Sequence, residues 1–367
     1  MMGSRWGDGV KLCLTGWATA AIVMGLATFV SPSIAAKTTK SRAEAKSAAP
    51  AKTVSKRRKA RVAQARPSAA QLQGLRATDD PLDLRSSVAL VVDQDTDEVL
   101  LSKNPEAVLP IASITKLMTA IVVVDAGQPM DESLRVERVA LDTPRNNRTR
   151  LKVGAELTRG ELMHLALMSS ENRAAHALGA NYPGGIPALV EAMNGKAREL
   201  GMHDSHFVEP TGLSSENKSS AHDLTLLVKA AYQHPELREY STSPDAAVPV
   251  GRRMVQFRNT NALVRSPSWE IGLQKTGFIS QAGRCLVMQA ELAGRKLIMV
   301  LLDSAGRYSR IGDAERIRRW LHGRIDAAPA NPTASPAAVV TTTLSPALSA
   351  SMAEGGGDLR GGGADSF

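Results

Sequence analysis

The sequence predicts an α/β (α+β) fold in which helices cover one five-stranded antiparallel sheet and a mainly helical lobe is inserted into the chain. Three observations predict it: β-rich runs near residue 90, helical spacing of apolar residues from about 112 to 240, and β-rich runs again from 271. Residues 82–326, about 245 in number, suffice for one large domain or two closely joined lobes.

The first predicted strands span 87–92 and 98–102, and the polar turn DQDTDE between them joins the two as a hairpin. After Ala112 the pattern becomes helical. Apolar residues recur on one helix face at Ile114, Leu117, Met118, Ile121 and Val122. We therefore expect a helix soon after the hairpin.

The segment from about 126 to 240 is predicted to be mostly helical. Thr158, followed three residues later by Glu161, is a capping-box pattern at one helix start, and Gly201 is expected to end another helix. From 271 three β-rich runs separated by short breaks predict hairpins, and the amphipathic segment 308–323 predicts a closing helix. The sheet is thus assembled from 85–112 and 256–326, with the helical lobe at 126–255.

The first 36 residues are predicted to be a secretory signal. Two basic residues precede an apolar run over 12–30, and small residues at Ser33, Ala35 and Ala36 suit a signal peptidase. A retained membrane anchor is the alternative, because a run of about 19 residues just spans a bilayer. In both cases the rest of the chain is exported, and we expect it in the periplasm, with membrane association if the segment is retained.

Two segments of biased composition flank the predicted domain. Residues 37–81 are predicted to be a basic disordered linker, because 37–66 holds eleven Lys and Arg against one acid and few large apolar residues. The chain has a net charge of +9, yet 67–326 alone is neutral, so the basic character belongs to the tail. The Ala-, Pro- and Thr-rich segment 327–367 is predicted to be a second disordered tail.

The basic tail raises the question of its partner. Such a tail is typical of nucleic-acid binding, but on an exported protein we expect no nucleic acid. The anionic envelope or membrane surface is the expected partner, and a solvated spacer is the alternative.

The sequence predicts neither an internal disulfide nor a metal site. Cys13 leaves with the signal, so Cys285 has no partner for an internal disulfide and is predicted to be buried in a strand. His203 and His206 lie in a predicted turn after a helix. We expect no metal site and no organic cofactor.

Two short motifs carry the candidate chemistry. Ser113 and Lys116 stand where strand pattern gives way to helix, and three residues apart they lie on one helix face. A nearby uncharged amine can take the proton of a serine hydroxyl, and a helix start offers free backbone N–H groups to an oxyanion. Lys275, Thr276 and Gly277 lie within a predicted strand, where a cation and a hydroxyl suit a carboxylate and the glycine allows a ligand backbone to approach.

The tetrapeptide SSEN occurs at 169–172 and at 214–217. The first copy supplies Ser170 and Asn172 between two helical runs, and it completes the order Ser-x-x-Lys, Ser-x-Asn, Lys-Thr-Gly. The second copy follows a Pro-Thr-Gly-Leu turn and is predicted to be a loop at a helix entry. Only the first copy is therefore a candidate site.

With these three motifs the chain resembles the serine penicillin-recognising enzymes of the β-lactamase/transpeptidase-like superfamily. It is most similar to the exported D-alanyl-D-alanine endopeptidases of the penicillin-binding protein 7 type, which are low-molecular-mass penicillin-binding proteins. The strings MSSENRAA, LGMHDSHFVEPTGLS, FRNTN and KTGF carry this resemblance over about 85–325. The family has the sheet and helical lobe predicted above.

The resemblance implies a peptidoglycan D,D-peptidase. It implies that Ser113 attacks a D-Ala carbonyl, that Lys116 takes the proton, that Ser170 relays it to the leaving amine, and that Asn172 holds Lys116 or the substrate. Lys275 and Thr276 would bind the carboxylate of the leaving residue. The backbone N–H groups of Ser113 and Phe278 would form the oxyanion hole.

Three further expectations accompany this assignment. Two lysines in one cleft should lower each other's pKa. Arg284, at the start of the neighbouring strand, is a candidate for the same carboxylate, with a surface strand arginine as the alternative. Glu209 is the nearest candidate for the glutamate with which related β-lactamases hydrolyse the acyl-enzyme, although its surroundings resemble the peptidases.

The residues alone do not determine which peptide bond the protein would cut. An endopeptidase that cuts D-Ala–diaminopimelate cross-links is expected from the resemblance alone, and a carboxypeptidase trimming pentapeptides is the alternative. A β-lactamase and an inactive murein-binding protein are further alternatives. β-Lactams are expected to acylate Ser113.

Overall fold

The computed structural model describes residues 67–138 and 149–326. The predicted signal, residues 37–66 of the predicted linker and the predicted C-terminal tail lie outside the described residues. Within the described ranges no helix is long and apolar enough to cross a membrane.

Eleven strands and eight α-helices are present in the described residues. The strands are β1 (Ser86–Asp93), β2 (Val99–Lys103), β3 (Leu109–Pro110), β4 (Ser133–Arg135), β5 (Glu156–Thr158), β6 (Lys218–Ser219), β7 (Asp245–Val250), β8 (Arg253–Arg258), β9 (Glu270–Ile279), β10 (Gly283–Leu292) and β11 (Arg295–Ser304). The helices are α1 (Ala69–Leu72), α2 (Thr115–Asp125), α3 (Arg159–Met168), α4 (Asn172–Ala180), α5 (Gly185–Glu199), α6 (Ala221–Tyr232), α7 (Pro235–Thr242) and α8 (Ser309–Asp326).

The central sheet has five strands in the order β2-β1-β11-β10-β9, and every neighbouring pair is antiparallel. Strand β1 is buried along its whole length because it lies between β2 and β11. The predicted five-stranded antiparallel sheet, made from an early hairpin and three late strands, is confirmed.

The two faces of the sheet pack against different helices, because successive side chains of a strand point to opposite faces. Val88 and Leu90 of β1 join the larger core, which includes the helical lobe. Ala89 and Val91 join a smaller core with Ile317 of α8. The sheet therefore separates the closing helix from the lobe.

Several local predictions hold. Thr158 and Glu161 form a capping box at the start of α3. Gly201, just after α5, has a φ of +76°, a left-handed conformation that glycine tolerates best. The helix predicted after the early hairpin is α2, preceded by a short 3₁₀ turn over Ala112–Ile114.

The prediction of disorder over 37–81 is wrong for residues 67–81. Ser68 caps α1, and Ala70 is only 1% exposed in the core. The carboxylate of Asp80 accepts a hydrogen bond from the Leu84 backbone at 3.1 Å and from Lys103 Nζ at 2.7 Å. Composition missed this segment because its order comes from a few contacts with the distant sheet.

Two hairpins inside the helical lobe were not predicted. Strands β4 and β5 pair across the part of the chain that is not described, and β7 pairs with β8. Strands β4 and β5 have only three residues each, too few to show a periodicity. Strand β7 contains Pro249, which argues against a strand, and the turn after it uses Gly251 with a φ of +63°.

Gly212 positions the turn that carries Ser113. It has a φ of +78°, and a Cβ built on it would lie 2.0 Å from the carbonyl oxygen of Ala112. The loop and the turn therefore touch backbone to backbone, and any side chain at 212 would push the Ala112–Ile114 turn away.

Gly212→Ala should lower the free energy of unfolding by about 2–4 kcal/mol, since it adds overpacking to a left-handed backbone. Gly201→Ala is the matched control, because its φ of +76° is similar but no heavy atom lies within 4 Å of its Cβ. The control should lose only about 1 kcal/mol. Urea unfolding of both variants measures the difference, and equal losses would refute the close-approach argument.

Candidate active site

Ser113 lies in the 3₁₀ turn Ala112–Ile114, directly before α2. Ala112 has a φ of +49°, an unfavourable backbone conformation for a residue with a Cβ. Thr115 Oγ1 donates a hydrogen bond to the Ala112 carbonyl at 2.8 Å, and the Ile111 backbone N–H donates to the Asn217 carbonyl at 3.1 Å. The surroundings thus hold a strained turn that presents the hydroxyl of Ser113 at a half-buried position.

Lys116 is 1% exposed, and its ammonium lies between three oxygen atoms. Nζ donates to Ser113 Oγ at 3.0 Å and to Asn172 Oδ1 at 2.8 Å, and it also contacts the carbonyl oxygen of Thr211. The predicted pairing of Ser113 with Lys116 is present as a direct hydrogen bond.

Burial lowers the pKa of Lys116 from 10.5 to about 8. The negative charges of Glu209 and Glu171 raise it, but by less than burial lowers it. With a pKa of about 8, roughly one tenth of the lysine is neutral at pH 7. The amine can therefore accept a proton from Ser113.

Ser170 and Asn172 come from the loop between α3 and α4. Ser170 has a φ of +59°, and both residues line the same cleft as Ser113. Asn172 is the first residue of α4, and its side-chain oxygen fixes the lysine as described above. The first SSEN copy therefore does meet the Ser-x-x-Lys motif in space.

The second SSEN copy has a structural role. Asn217 is fully buried: its Oδ1 accepts from the Val208 backbone N–H at 2.7 Å, and its Nδ2 donates to Glu209 Oε1 at 2.7 Å. Glu209 Oε2 in turn accepts from the Thr211 backbone N–H at 2.6 Å. This network shapes the 209–217 loop whose Thr211 carbonyl contacts Lys116.

Lys275 was predicted to bind a carboxylate, but it does not line the cleft. It is 0% exposed, and its Nζ donates to the Thr276 carbonyl at 2.9 Å. Burial, followed by the charges of Lys116 and Arg310, holds the pKa of Lys275 well below its ordinary value. The repulsion predicted between the two lysines thus lowers the pKa of Lys275, after the larger effect of burial. The lowered pKa of Lys116 comes from burial alone.

Thr276 and Gly277 form part of the cleft surface. Thr276 Oγ1 shares a hydrogen bond of 2.6 Å with Thr260 Oγ1. A Cβ on Gly277 would lie 2.9 Å from the Ile111 carbonyl oxygen and 3.2 Å from the Ser113 nitrogen. The glycine was predicted to admit a ligand backbone, but the backbone that approaches it here is the chain's own turn, which carries Ser113.

The cleft encloses about 250 Å³. Its lining residues are Ser113, Ser170, Asn172, Leu213, Thr260, Thr276, Gly277, Phe278, Arg284 and Arg310. The lining includes the hydroxyls of Ser113, Ser170 and Thr276, two guanidinium groups and no carboxylate. Such a lining suits a substrate with an anionic group beside the bond to be cut.

Arg310, the second residue of α8, was missed by sequence reasoning. It is half-buried, and its Nε is buried with no hydrogen-bond partner in the described structure. It stands 35 positions beyond Lys275 in an otherwise ordinary amphipathic helix, so no local pattern marked it. Arg284, a predicted candidate, lies in the cleft with its guanidinium 4.6 Å from the centre of the Phe278 ring.

The other candidate groups lie apart from this cleft. Cys285 is buried in β10 as predicted, and burial raises the pKa of its thiol to about 12. The His206 backbone pairs with that of Lys218. In the two described ranges no group of three or more His, Cys, Asp or Glu residues is arranged to hold a metal ion.

A family model described as D-alanyl-D-alanine carboxypeptidase matches residues 75–306. The chain belongs to this family. The match includes all three motifs and ends just before Arg310. The family expected from the sequence is confirmed, and with it the serine peptidase class.

Curated relatives give a finer comparison. The chain is 48% identical over 251 residues to the D-alanyl-D-alanine endopeptidase of Pseudomonas aeruginosa, covering 68% of this chain and 81% of that protein. It is 43% identical to the D-alanyl-D-alanine endopeptidase of Escherichia coli, with the same coverage. A D-alanyl-D-alanine carboxypeptidase of Mycobacterium tuberculosis is 30% identical, over 58% of this chain and 73% of that protein.

Solved structures confirm the fold. A Listeria monocytogenes penicillin-binding protein in its cefotaxime-bound form superposes with a TM-score of 0.58 and 29% identity, covering 66% of this chain and 98% of that one. A Streptomyces DD-transpeptidase superposes with a TM-score of 0.61 and 25% identity, covering 65% of this chain and 98% of that one. The transpeptidase-like fold predicted from the sequence is therefore correct.

The pKa of Lys116 predicts how this family member responds to pH. If the neutral amine is the base, acylation of Ser113 should accelerate about tenfold for each pH unit up to about pH 8 and then level off. Penicillin acylation rates measured by stopped-flow between pH 6 and 9.5 test this. A rate that stays constant between pH 6 and 8 would contradict the base role.

The two SSEN copies offer a matched pair of serines. Ser170→Ala should slow cleavage about 100-fold or more, because it removes a hydroxyl from the proton path. Ser215→Ala should change the rate less than twofold, since among the described residues its hydroxyl donates a hydrogen bond only to Glu216, at 3.5 Å. Steady-state kinetics of both variants on one peptide substrate test the pair, and similar losses would contradict the assignment of roles.

Proposed function

We propose that this chain is an exported serine-type D-alanyl-D-alanine endopeptidase that hydrolyses D-Ala–diaminopimelate cross-links of peptidoglycan. The observation that carries the proposal is the buried amine of Lys116, which is hydrogen bonded to Ser113 Oγ at 3.0 Å. The names of the relatives at 48% and 43% identity support the endopeptidase over the carboxypeptidase.

Acylation begins when neutral Lys116 accepts the hydroxyl proton of Ser113. Oγ attacks the carbonyl carbon of the D-Ala residue and forms a tetrahedral oxyanion. The backbone N–H groups of Ser113 and Phe278 receive that oxyanion. The amide bond then breaks, the proton passes through Ser170 to the leaving amine, and the D-Ala carbonyl stays on Ser113 as an ester.

Substrate orientation depends on the carboxylate beside the scissile amide. Thr276 presents a hydroxyl to the cleft, and Arg310 presents a guanidinium whose Nε has no hydrogen-bond partner in the described structure. Lys275 is buried and does not line the cleft, so in this mechanism it can attract the carboxylate only at a distance and only when it is protonated. A carboxylate held there leaves its neighbouring amide facing Ser113.

Deacylation requires a water molecule to attack the ester. In this mechanism Lys116 is again the base, because both oxygens of Glu209 already accept hydrogen bonds within the 209–217 loop. This arrangement favours a peptidase over a β-lactamase, which must deacylate rapidly. β-Lactams should therefore acylate Ser113 and remain attached, because hydrolysis of the acyl-enzyme is slow.

The proposal also covers where the protein acts and what its basic segment 37–66 contacts. The apolar run over 12–30 with its small-residue exit supports secretion to the periplasm. The net positive charge of 37–66 supports contact with an anionic envelope surface. Both are proposals from composition.

Purified protein without residues 1–36 should convert disaccharide-peptide dimers joined by a D-Ala–diaminopimelate bond into monomers. Ser113→Ala should lose at least about 1,000-fold in rate, because it removes the nucleophile. Products are measured by mass spectrometry. Uncut dimers together with trimmed pentapeptides would make the protein a carboxypeptidase instead.

A further inference from the structure

The cleft holds two guanidinium groups that are not neutralised. Arg284 and Arg310 both line it, and within the described residues neither forms an ion pair with a carboxylate. Arginine stays charged in proteins, so both positive charges persist at every working pH. One substrate carboxylate would leave one of them unmatched.

The two arginines are held in different ways. Arg310 extends from the start of α8, and its Nε is buried without a partner. Arg284 lies in β10 opposite Phe278 of β9, and its guanidinium rests on the Phe278 ring. Phe278 is 54% exposed and Arg284 is half-buried, so this pair lies where the cleft meets the protein surface.

The stacking on Phe278 holds the guanidinium of Arg284 without using its hydrogen-bond donors. A guanidinium presents five N–H donors in one plane, and its face can lie on an aromatic ring while its edge binds a carboxylate. The stacked guanidinium of Arg284 therefore keeps its N–H donors available to a ligand. Burial, and after it the positive charge of Arg284, lowers the pKa of Arg310.

We propose that Arg284 binds a second carboxylate of the leaving peptide, separate from the one beside the scissile bond, and so selects cross-linked stems over terminal D-alanine. This inference rests on the proposed endopeptidase function and names the feature that sets its specificity. A D-alanine leaving group has a single carboxylate, which occupies the Arg310 and Thr276 end. The leaving stem of a cross-link carries further carboxylates, and Arg284 lies where the cleft meets the protein surface and the stem can continue.

Three substrates separate the two carboxylate sites. The first is the cross-linked dimer, and the second is the same dimer with every leaving-stem carboxylate amidated except the one beside the scissile bond. The third is a pentapeptide that releases D-alanine. The wild-type protein should have a value of kcat/KM about 10- to 100-fold higher for the first dimer than for the amidated dimer, the range expected for one charge-assisted hydrogen bond.

Arg284→Gln should abolish that preference. It should lower kcat/KM on the unmodified dimer about 10- to 100-fold, mainly by raising KM. It should change kcat/KM on the other two substrates less than threefold. Arg284→Lys should retain part of the preference, because it keeps the charge but loses the planar fork. Phe278→Leu should reduce the preference in the same direction, since it removes the ring that holds the guanidinium.

Arg307→Gln is the matched control. Arg307 is an exposed arginine whose guanidinium lies 5.4 Å from the centre of the Tyr308 ring and does not line the cleft. The Arg307→Gln substitution should leave kcat/KM on all three substrates unchanged within twofold. Thermal unfolding of every variant shows whether any loss reflects folding.

The outcomes are distinct. Equal losses on all three substrates in Arg284→Gln would mean that Arg284 shares the carboxylate beside the scissile bond and would overturn the inference. A wild-type protein that cuts both dimers equally well would also overturn it while leaving the endopeptidase function intact. Failure to cut either dimer would refute the proposed function itself.

Discussion

The burial of one amine is the constraint on which the site depends. Lys116 is withdrawn from water, and the oxygens around its Nζ come from three separate parts of the chain: the start of α2, the loop before α4, and the 209–217 loop. A buried ammonium is costly, so its proton is easily lost and the neutral form becomes accessible near neutral pH. The same burial that costs stability therefore produces the base that the serine requires.

Two glycines make this arrangement possible. Gly212 of the lobe and Gly277 of β9 both approach the Ile111–Ser113 backbone more closely than a side chain would allow. They let the lobe and the sheet both contact the turn that carries Ser113. The left-handed φ of Ala112 is then maintained by its surroundings, as is typical of functional sites.

The electrostatics of the cleft change along its length. Near Ser113 the charged groups are buried and their pKa values lie below the ordinary range, which supports proton transfer. Toward Arg284 the charges are permanent and partly exposed, which supports recognition of anions. Catalysis and selection can therefore be changed by separate substitutions.

Sequence analysis found the parts of the site that lie within short motifs. Ser113 with Lys116, Ser170 with Asn172, and Thr276 with Gly277 were placed together correctly because each pair is fixed by local spacing on a helix, loop or strand. The sheet was predictable because long β-rich runs have a clear pattern. The order of the three motifs along the chain linked them where spacing alone could not.

What sequence analysis missed depends on contacts between distant segments. Arg310 enters the cleft only because α8 starts beside β10, and nothing near it in the sequence indicates that. The second SSEN copy was correctly assigned to a loop, but its role in holding Thr211 against Lys116 follows from the buried side chain of Asn217. The order of 67–81 likewise comes from Asp80 and Lys103, which are 23 residues apart.

The central claim is that Ser113 is the nucleophile and that buried Lys116 activates it. The most direct test is the intact mass of the protein after incubation with a penicillin, followed by mapping of the modified peptide. We predict one adduct of the whole antibiotic per chain, located on Ser113, absent in Ser113→Ala and formed at least about 100-fold more slowly in Lys116→Met. A full adduct on Ser113→Ala, or acylation of Lys116→Met at the wild-type rate, would contradict the account.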